Sequence, residues 1–286
     1  YAVAGSIMFI ATQSIAHILA LFSANMNVES KRLYTLSMKP EFVFPVFAQT
    51  AVAKHYYTAR KVKEGNVYKD IQMEIKGVHM KDSTVPSNII SGAAGLMEDV
   101  IRTIMRGEKV SLQKKINELC DLERSILNSL HKGETTYLKR FKIKEAAGYK
   151  LDGLKSPYKY YTLWENAFAP AYQSAPVPPY DGVRIPLNIK NQTALKEWLE
   201  KIPNQEVANG IRSWLIEGNR ATLKSFPIPV DHCNSRGVPE ELRMVMDSRK
   251  IVLTLTKSYR NVLESLGYFP KHNFLVCELQ ALPKPI

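Results

Sequence analysis

The stretch FVFPVFAQTAVAKHYYTARKVKEG, residues 42–65, changes character at its centre. Up to Ala53 it is mainly apolar; from Lys54 onward it is basic and aromatic. Proline has no N–H to give to a strand ladder, so Pro45 makes the apolar run over 41–48 an edge or a bend. Downstream, YKDIQMEIKGVHMK (68–81) sets Ile71, Met73 and Ile75 against Asp70, Gln72, Glu74 and Lys76. That period of two reads as a strand with one face in water. Upstream, RLYTLSM (32–38) alternates in the strand manner. Gly77, inside a strand-like run, marks a bulge or a close backbone approach.

Outward from these strands the chain becomes helical. The opening run over 1–27 contains no Lys, Arg, Asp or Glu. Its length suits a membrane span, but it carries Gln13 and His17, and Ile7, Ile10, Ile15, Ile18, Leu19 and Phe22 recur at helical spacing. That pattern fits a buried or half-buried helix better. It lacks a basic n-region and so is not a signal peptide as it stands. After DSTVP (82–86), Ser83 or Thr84 can cap a helix and Pro86 suits its first turn. Apolar residues from Ile89 to Ile104 keep helical spacing up to Gly107, and a second helix is expected from near Ser111 to about His131. Two helices on a short link make an antiparallel pair. Residues 133–165 are basic and aromatic, and 169–186 hold five prolines, which reads as a loop or extended arm. Helices are expected at 193–203 and 205–217. A last long helix opens at GVPEEL, with Pro239 in its first turn, and closes at Gly267. The fold class is α+β.

The 286 residues carry 39 Lys and Arg against 27 Asp and Glu, a formal charge of +12. An excess of that sign favours a polyanionic partner, nucleic acid first and an anionic membrane second. Three cysteines without C-x-x-C spacing argue for a reducing compartment and against a disulfide framework. Several chemistries find no motif: there is no D-x-D, no phosphate-cradling G-x-x-x-x-G-K-[ST] and no H-E-x-x-H. The adjacent acids Glu98-Asp99 and Glu240-Glu241 fall on expected helices, where neighbours point apart, and read as solvated helix faces. His232, Cys233, His272 and Cys277 match no common zinc-finger spacing.

Lys54, His55, Tyr56, Tyr57, Arg60, Lys61 and Lys63 cluster closely. Two readings stay open from composition: a sheet edge with snorkelling lysines, or a nucleic-acid contact in which Lys meets phosphate or a minor-groove acceptor and Tyr packs on sugar or base.

Order and spacing resemble the C-terminal part of a family B DNA polymerase, phage-like, over essentially the whole chain. AKHYY (53–57) occupies the place of that family's K-K-R-Y motif, near the end of the palm. KGVHMKDSTVP (76–86) occupies the place of its K-G-(x)n-P motif, at the entry to the thumb. The resemblance implies a C-terminal palm segment over 1–85 and a mainly helical thumb over 86–286. Within the thumb it implies a helical pair over 86–132, a basic and Pro-rich tip over 133–190 and C-terminal helices over 191–286. It implies DNA-binding roles for Lys54, His55, Tyr56, Lys76, Gly77 and Lys81, with Lys54 at the minor groove near the primer end and Tyr56 supporting the primer strand. Minor-groove acceptors occur at every base pair, so a Lys there senses geometry without reading sequence.

The chain departs from the family pattern at Ala53 and His55, which stand for a Lys and an Arg; His55 would charge only beside phosphate. The family's D-T-D-S motif has no match, and YAVAGSIMF (1–9) lacks its aspartates. Those acids lie in a preceding segment or on a separate chain of a split enzyme, or the protein is inactive. The implied partners are primer–template DNA, dNTP through palm and fingers parts outside this chain, and a second polymerase chain or replication accessory proteins. Mg2+ is expected for the complete nucleotidyltransferase, held by residues outside this chain. No membrane partner is expected, and the implied setting is the cytoplasm of a phage-infected bacterium. The rivals are a non-catalytic basic nucleic-acid-binding module and a membrane-associated protein using residues 1–27.

Overall fold

The computed structural model describes residues 2–26, 41–64, 66–78, 80, 85–142, 156–172, 181–218 and 220–281. RLYTLSM, Ser83, Thr84 and Lys81 lie outside these. The architecture is α+β, with helices and two antiparallel sheets. Tyr1–Val78 with Gly95–Val110 form one compact unit, and His79–Ala94 with Ser111–Ile286 form a second.

In the first unit, α1 spans Ala2–Asn25. Its expected apolar stripe is not covered by the described residues: Ile7, Ile10, Ile18 and Phe22 are 62%, 63%, 61% and 58% exposed. Only Ile15 and Leu19 are half-buried. Phe9 and Leu21 are exposed as well, so apolar side chains spread around the helix instead of lining one side. No helix among the described residues is long and apolar enough to cross a membrane.

The first sheet follows the expectation at Pro45. Strands β1 (Phe42–Val43) and β2 (Val46–Gln49) pair antiparallel with one edge of β3 (Tyr56–Lys63). The pairs Phe42↔Lys63 and Val46↔Ala59 belong to one continuous register, so β1 and β2 are a single strand interrupted at Phe44 and Pro45. β4 (Asn66–Lys76) pairs with the other edge of β3. Tyr57 and Ala59 point to one face and are fully buried, whereas Tyr56 and Arg60 on the opposite face are half-buried.

Helix α2 (Ser87–Met105) begins one residue later than expected: Pro86 precedes it and accepts from the amides of Ile89 and Ile90. Its apolar side buries Ile89, Ala93, Leu96, Met97, Val100 and Ile101. In the second unit, α3 (Leu112–His131) starts where expected, with Ser111 Oγ accepting from the Lys114 amide. Among the described residues α3 packs on three C-terminal helices, α10 (Ser248–Leu255), α11 (Lys257–Ser265) and α12 (Val276–Ala281). Glu123 of α3, fully buried, takes Arg260 Nη2 on one oxygen at 2.9 Å and the Cys277 amide on the other at 2.9 Å. Arg260 also donates to the Phe274 carbonyl at 2.7 Å. The buried charge is thereby paired on both sides, as burial requires.

A second sheet was not read from the sequence. β5 (Lys139–Lys142), β6 (Asp181–Pro186) and β7 (Ser225–Pro229) pair antiparallel in that order. The expectation of a loop or arm over 169–186 is therefore corrected. Ala169–Tyr172 is a short helix, α5, and 181–186 is the central strand of the sheet. Val183 and Ile185 are buried, and the proline of this strand, Pro186, lies at its end, where a missing N–H costs least. α4 (Ser156–Ala167) packs on β7 and on α7 (Gln205–Glu217), while α6 (Gln192–Lys201) contributes Trp198 to the core. At Gly210 the two helix backbones are close: a Cβ there would lie 2.6 Å from the Asn166 carbonyl oxygen.

The single long helix expected from Pro239 to Gly267 is three. After α8 (Val230–Arg236), α9 covers Glu240–Arg243, then α10 and α11 follow. The chain between α9 and α10 is used as sheet: Met246 bridges to Leu187, and the Asp247 amide donates to Pro186 O. Asp247 then caps α10 through the Lys250 amide. Pro239 is the residue before α9, not part of its first turn. Glu241 is likewise not on a solvated face: it is 6% exposed and accepts from Tyr172 Oη at 2.9 Å.

Candidate nucleic-acid interface

The turn from β2 into β3 is held by three local bonds. The Thr50 amide donates to His55 O, the His55 amide to Val52 O, and the Val52 amide to Thr50 Oγ1. Closing so tightly requires a left-handed residue, and Lys54 takes that place with φ +63°. A non-glycine residue there is strained, and Lys54 is exposed on the turn. His55 follows, half-buried.

At the far end of β4 the backbone turns at Gly77, with φ +79°. A Cβ on Gly77 would lie 2.8 Å from His55 Cγ and 2.9 Å from Nε2. The close approach expected from a glycine in this run is therefore to the imidazole of the other motif. One pair earlier in the ladder, Tyr56 stands opposite Lys76.

On that face Glu74 collects the charges. It accepts from Tyr56 Oη at 3.3 Å and lies 3.2 Å from Lys76 Nζ and 3.6 Å from Arg60 Nη1. Lys76 also sits 5.8 Å from the centre of the Tyr56 ring. Tyr56, and after it Glu74, hold the exposed Lys76 ammonium above the ordinary lysine pKa. The Tyr56 ring packs at 4.8 Å on Phe47. Arg60 lies over Phe42 at 4.9 Å. The strand end thus presents cations and an aromatic face braced from below.

Of the residues expected to touch DNA, Lys54, His55, Tyr56, Lys76 and Gly77 are brought to one end of the β3–β4 pair. Lys81 lies outside the described residues. Sequence reasoning missed Glu74 and Phe47. Their signal was present, because residues opposite or diagonal to Tyr56 on one sheet face must touch it; the pairing register needed to use it was not.

Among the described residues the site holds one carboxylate, Glu74, and it is paired with Lys76 and Arg60. Among the described residues no three His, Cys, Asp or Glu side chains converge as metal ligands. These donors do not fit the Mg2+ ions of nucleotidyl transfer. His232 and Cys233 are part of the second unit's core, with His232 edge-on to Trp164 at 4.9 Å.

The family model for the divergent family B DNA polymerases matches residues 1–273. This chain belongs to that family. The match spans both compact units and so includes the paired strand ends as well as the second sheet and its helices. No curated protein matches this polymerase-family chain. Membership makes its function DNA polymerase-related and DNA its expected class of partner.

Proposed function

We propose that the chain grips primer–template duplex for a template-directed DNA polymerase, as part of a longer or split nucleotidyltransferase. The observation behind this is the paired strand end. Lys54 is exposed on its turn, while Tyr56 and Lys76 face each other beside it. A lysine and a tyrosine presented together suit the sugar–phosphate backbone and the minor-groove acceptors, which recur at every step of a duplex. Glu74 neutralises part of this charge and fixes where the Tyr56 hydroxyl and the Lys76 ammonium sit.

In this reading nucleotidyl transfer and its Mg2+ ions belong to carboxylates outside this chain, and the chain supplies position, not chemistry. A replication role in a reducing cytoplasm, with a phage-like origin, is supported by the three buried cysteines, none of them in a disulfide, and the resemblance of the motifs. The test is primer–template retention by the complete enzyme. Lys54→Ala should raise the dissociation rate, slow extension and lower the salt slope of binding by about one counterion. An unchanged off-rate and extension rate would remove the assigned role. Retained DNA binding with no extension in the presence of every polymerase chain would point instead to a non-catalytic binding module.

A further inference from the structure

A cavity of about 460 Å3 opens in the second unit, between the second sheet and α10. Lys139 and Arg184 are opposite each other in the β5–β6 ladder, Lys224 leads into β7, and Lys250 lies on α10. All four line the cavity, and among its described lining residues there is no carboxylate. Four cations around one concavity repel one another, an arrangement that favours an anion between them. Arg184 Nε donates to Ser225 Oγ at 3.0 Å, which helps to orient the guanidinium. The hydroxyls of Ser225, Thr254 and Tyr137 add donors.

The rest of the wall is apolar. Ile251 and Leu255 follow one another along α10 and are buried, and Val85 and Pro186 continue the surface. A purely phosphate-binding site does not need such a wall, whereas a nucleotide does: phosphate at the cations, sugar and base against Tyr137 and the aliphatic groups. The volume is within the range of small-molecule sites. We propose that this pocket takes one unpaired phosphate-bearing nucleotide, either free or at the end of a single strand. The site is separate from the duplex grip, and each can fail without the other.

Titration calorimetry on the full chain tests it, with deoxyadenosine 5′-monophosphate, deoxyadenosine, and short single-stranded oligonucleotides with and without a terminal phosphate. The phosphate-bearing ligands should bind saturably and deoxyadenosine about tenfold more weakly or not at all. Binding of the phosphorylated oligonucleotide alone identifies a strand end as the source; binding of both identifies the nucleotide unit itself. Lys224→Ala/Lys250→Ala should weaken binding about tenfold. Both lysines are exposed, so the fold should survive their loss. The control, Lys196→Ala/Lys201→Ala, removes the same charge from the exposed side of α6 and should leave affinity unchanged. Equal losses in the two double variants, or no saturable binding of any phosphate-bearing ligand, would overturn the proposal.

Discussion

Gly77→Ala is the substitution that most directly probes the joining of the two strand ends. Two costs are readable. At φ +79° an L-residue takes a left-handed backbone, worth about 1–2 kcal/mol. The new methyl also falls against the His55 ring, within 2.8 Å of Cγ. The ring must move, and it lies in the loop closed by the Thr50 and His55 backbone bonds. The sum is at least about 2 kcal/mol, most of it local. The assay is hydrogen exchange of the β3 and β4 amides in the full chain, read strand by strand. Amides at the Tyr56–Lys76 end should exchange roughly tenfold faster or more, since about 1.4 kcal/mol is a factor of ten. His55→Ala in the same background should recover the steric part and leave the backbone part. Unchanged protection in Gly77→Ala would refute the reasoning. A double variant no better than the single would show that the imidazole is not what the glycine makes room for.

The buried ion pair gives a second expectation. Arg260→Ala removes the cation that pairs with buried Glu123 and should cost about 3–5 kcal/mol, while Glu123→Gln/Arg260→Met should regain most of that; denaturation followed by the fluorescence of Trp164, Trp198 and Trp214, all in the same unit, reads both. Burial pushes the Cys233 thiol up to about 12, so iodoacetamide at neutral pH should leave it unmodified in the native chain and label it after denaturation. Burial, and next the charge of Arg236, hold His232 below its ordinary 6.5. The unfolded chain then binds the extra proton first, so the contribution is complete above about pH 6.5 and is lost as pH falls through the lower folded value. His232→Leu should flatten that acid limb in a pH series of tryptophan-monitored unfolding.

Local signals were legible wherever the residues that make an element also terminate it. Ser111 capped a helix on schedule, Pro45 broke a strand, and Gly77 announced a close approach without naming its partner. Elements that depend on distant partners were not legible. The strand Asp181–Pro186 follows a proline-rich run that reads as an arm, and it becomes a strand because β5 and β7 flank it. The residues from Glu240 to Ser265 have helical patterning throughout, yet Met246 and Asp247 leave the helix to pair with Leu187 and Pro186. Glu241 was read with Glu240 as part of a solvated helix face; Tyr172, far along the chain, gives it a hydrogen bond inside.

The same limit explains why the site was seen in its residues but not in its wiring. Near the turn, β3 and β4 pair Val62 with Val67. Continued regularly, that register would set Tyr56 opposite Met73. The structure instead pairs Tyr56 with Lys76, because the register shifts between Arg60 and Val62 and β4 carries the surplus residues between Val67 and Gln72. Such an irregularity re-aims the side chains beyond it. Here it replaces a methionine by a lysine at the strand end, and it brings Gly77 under His55. Lys61 supports the irregular segment by donating from Nζ to the Lys69 carbonyl at 2.8 Å. That lysine belongs to the basic cluster by sequence, yet its ammonium is spent on the strand pair itself. Counting cations along 54–63 therefore overstates what can face a partner, and the charge offered at the strand end comes from both arms of the hairpin, Lys54 on one and Lys76 on the other.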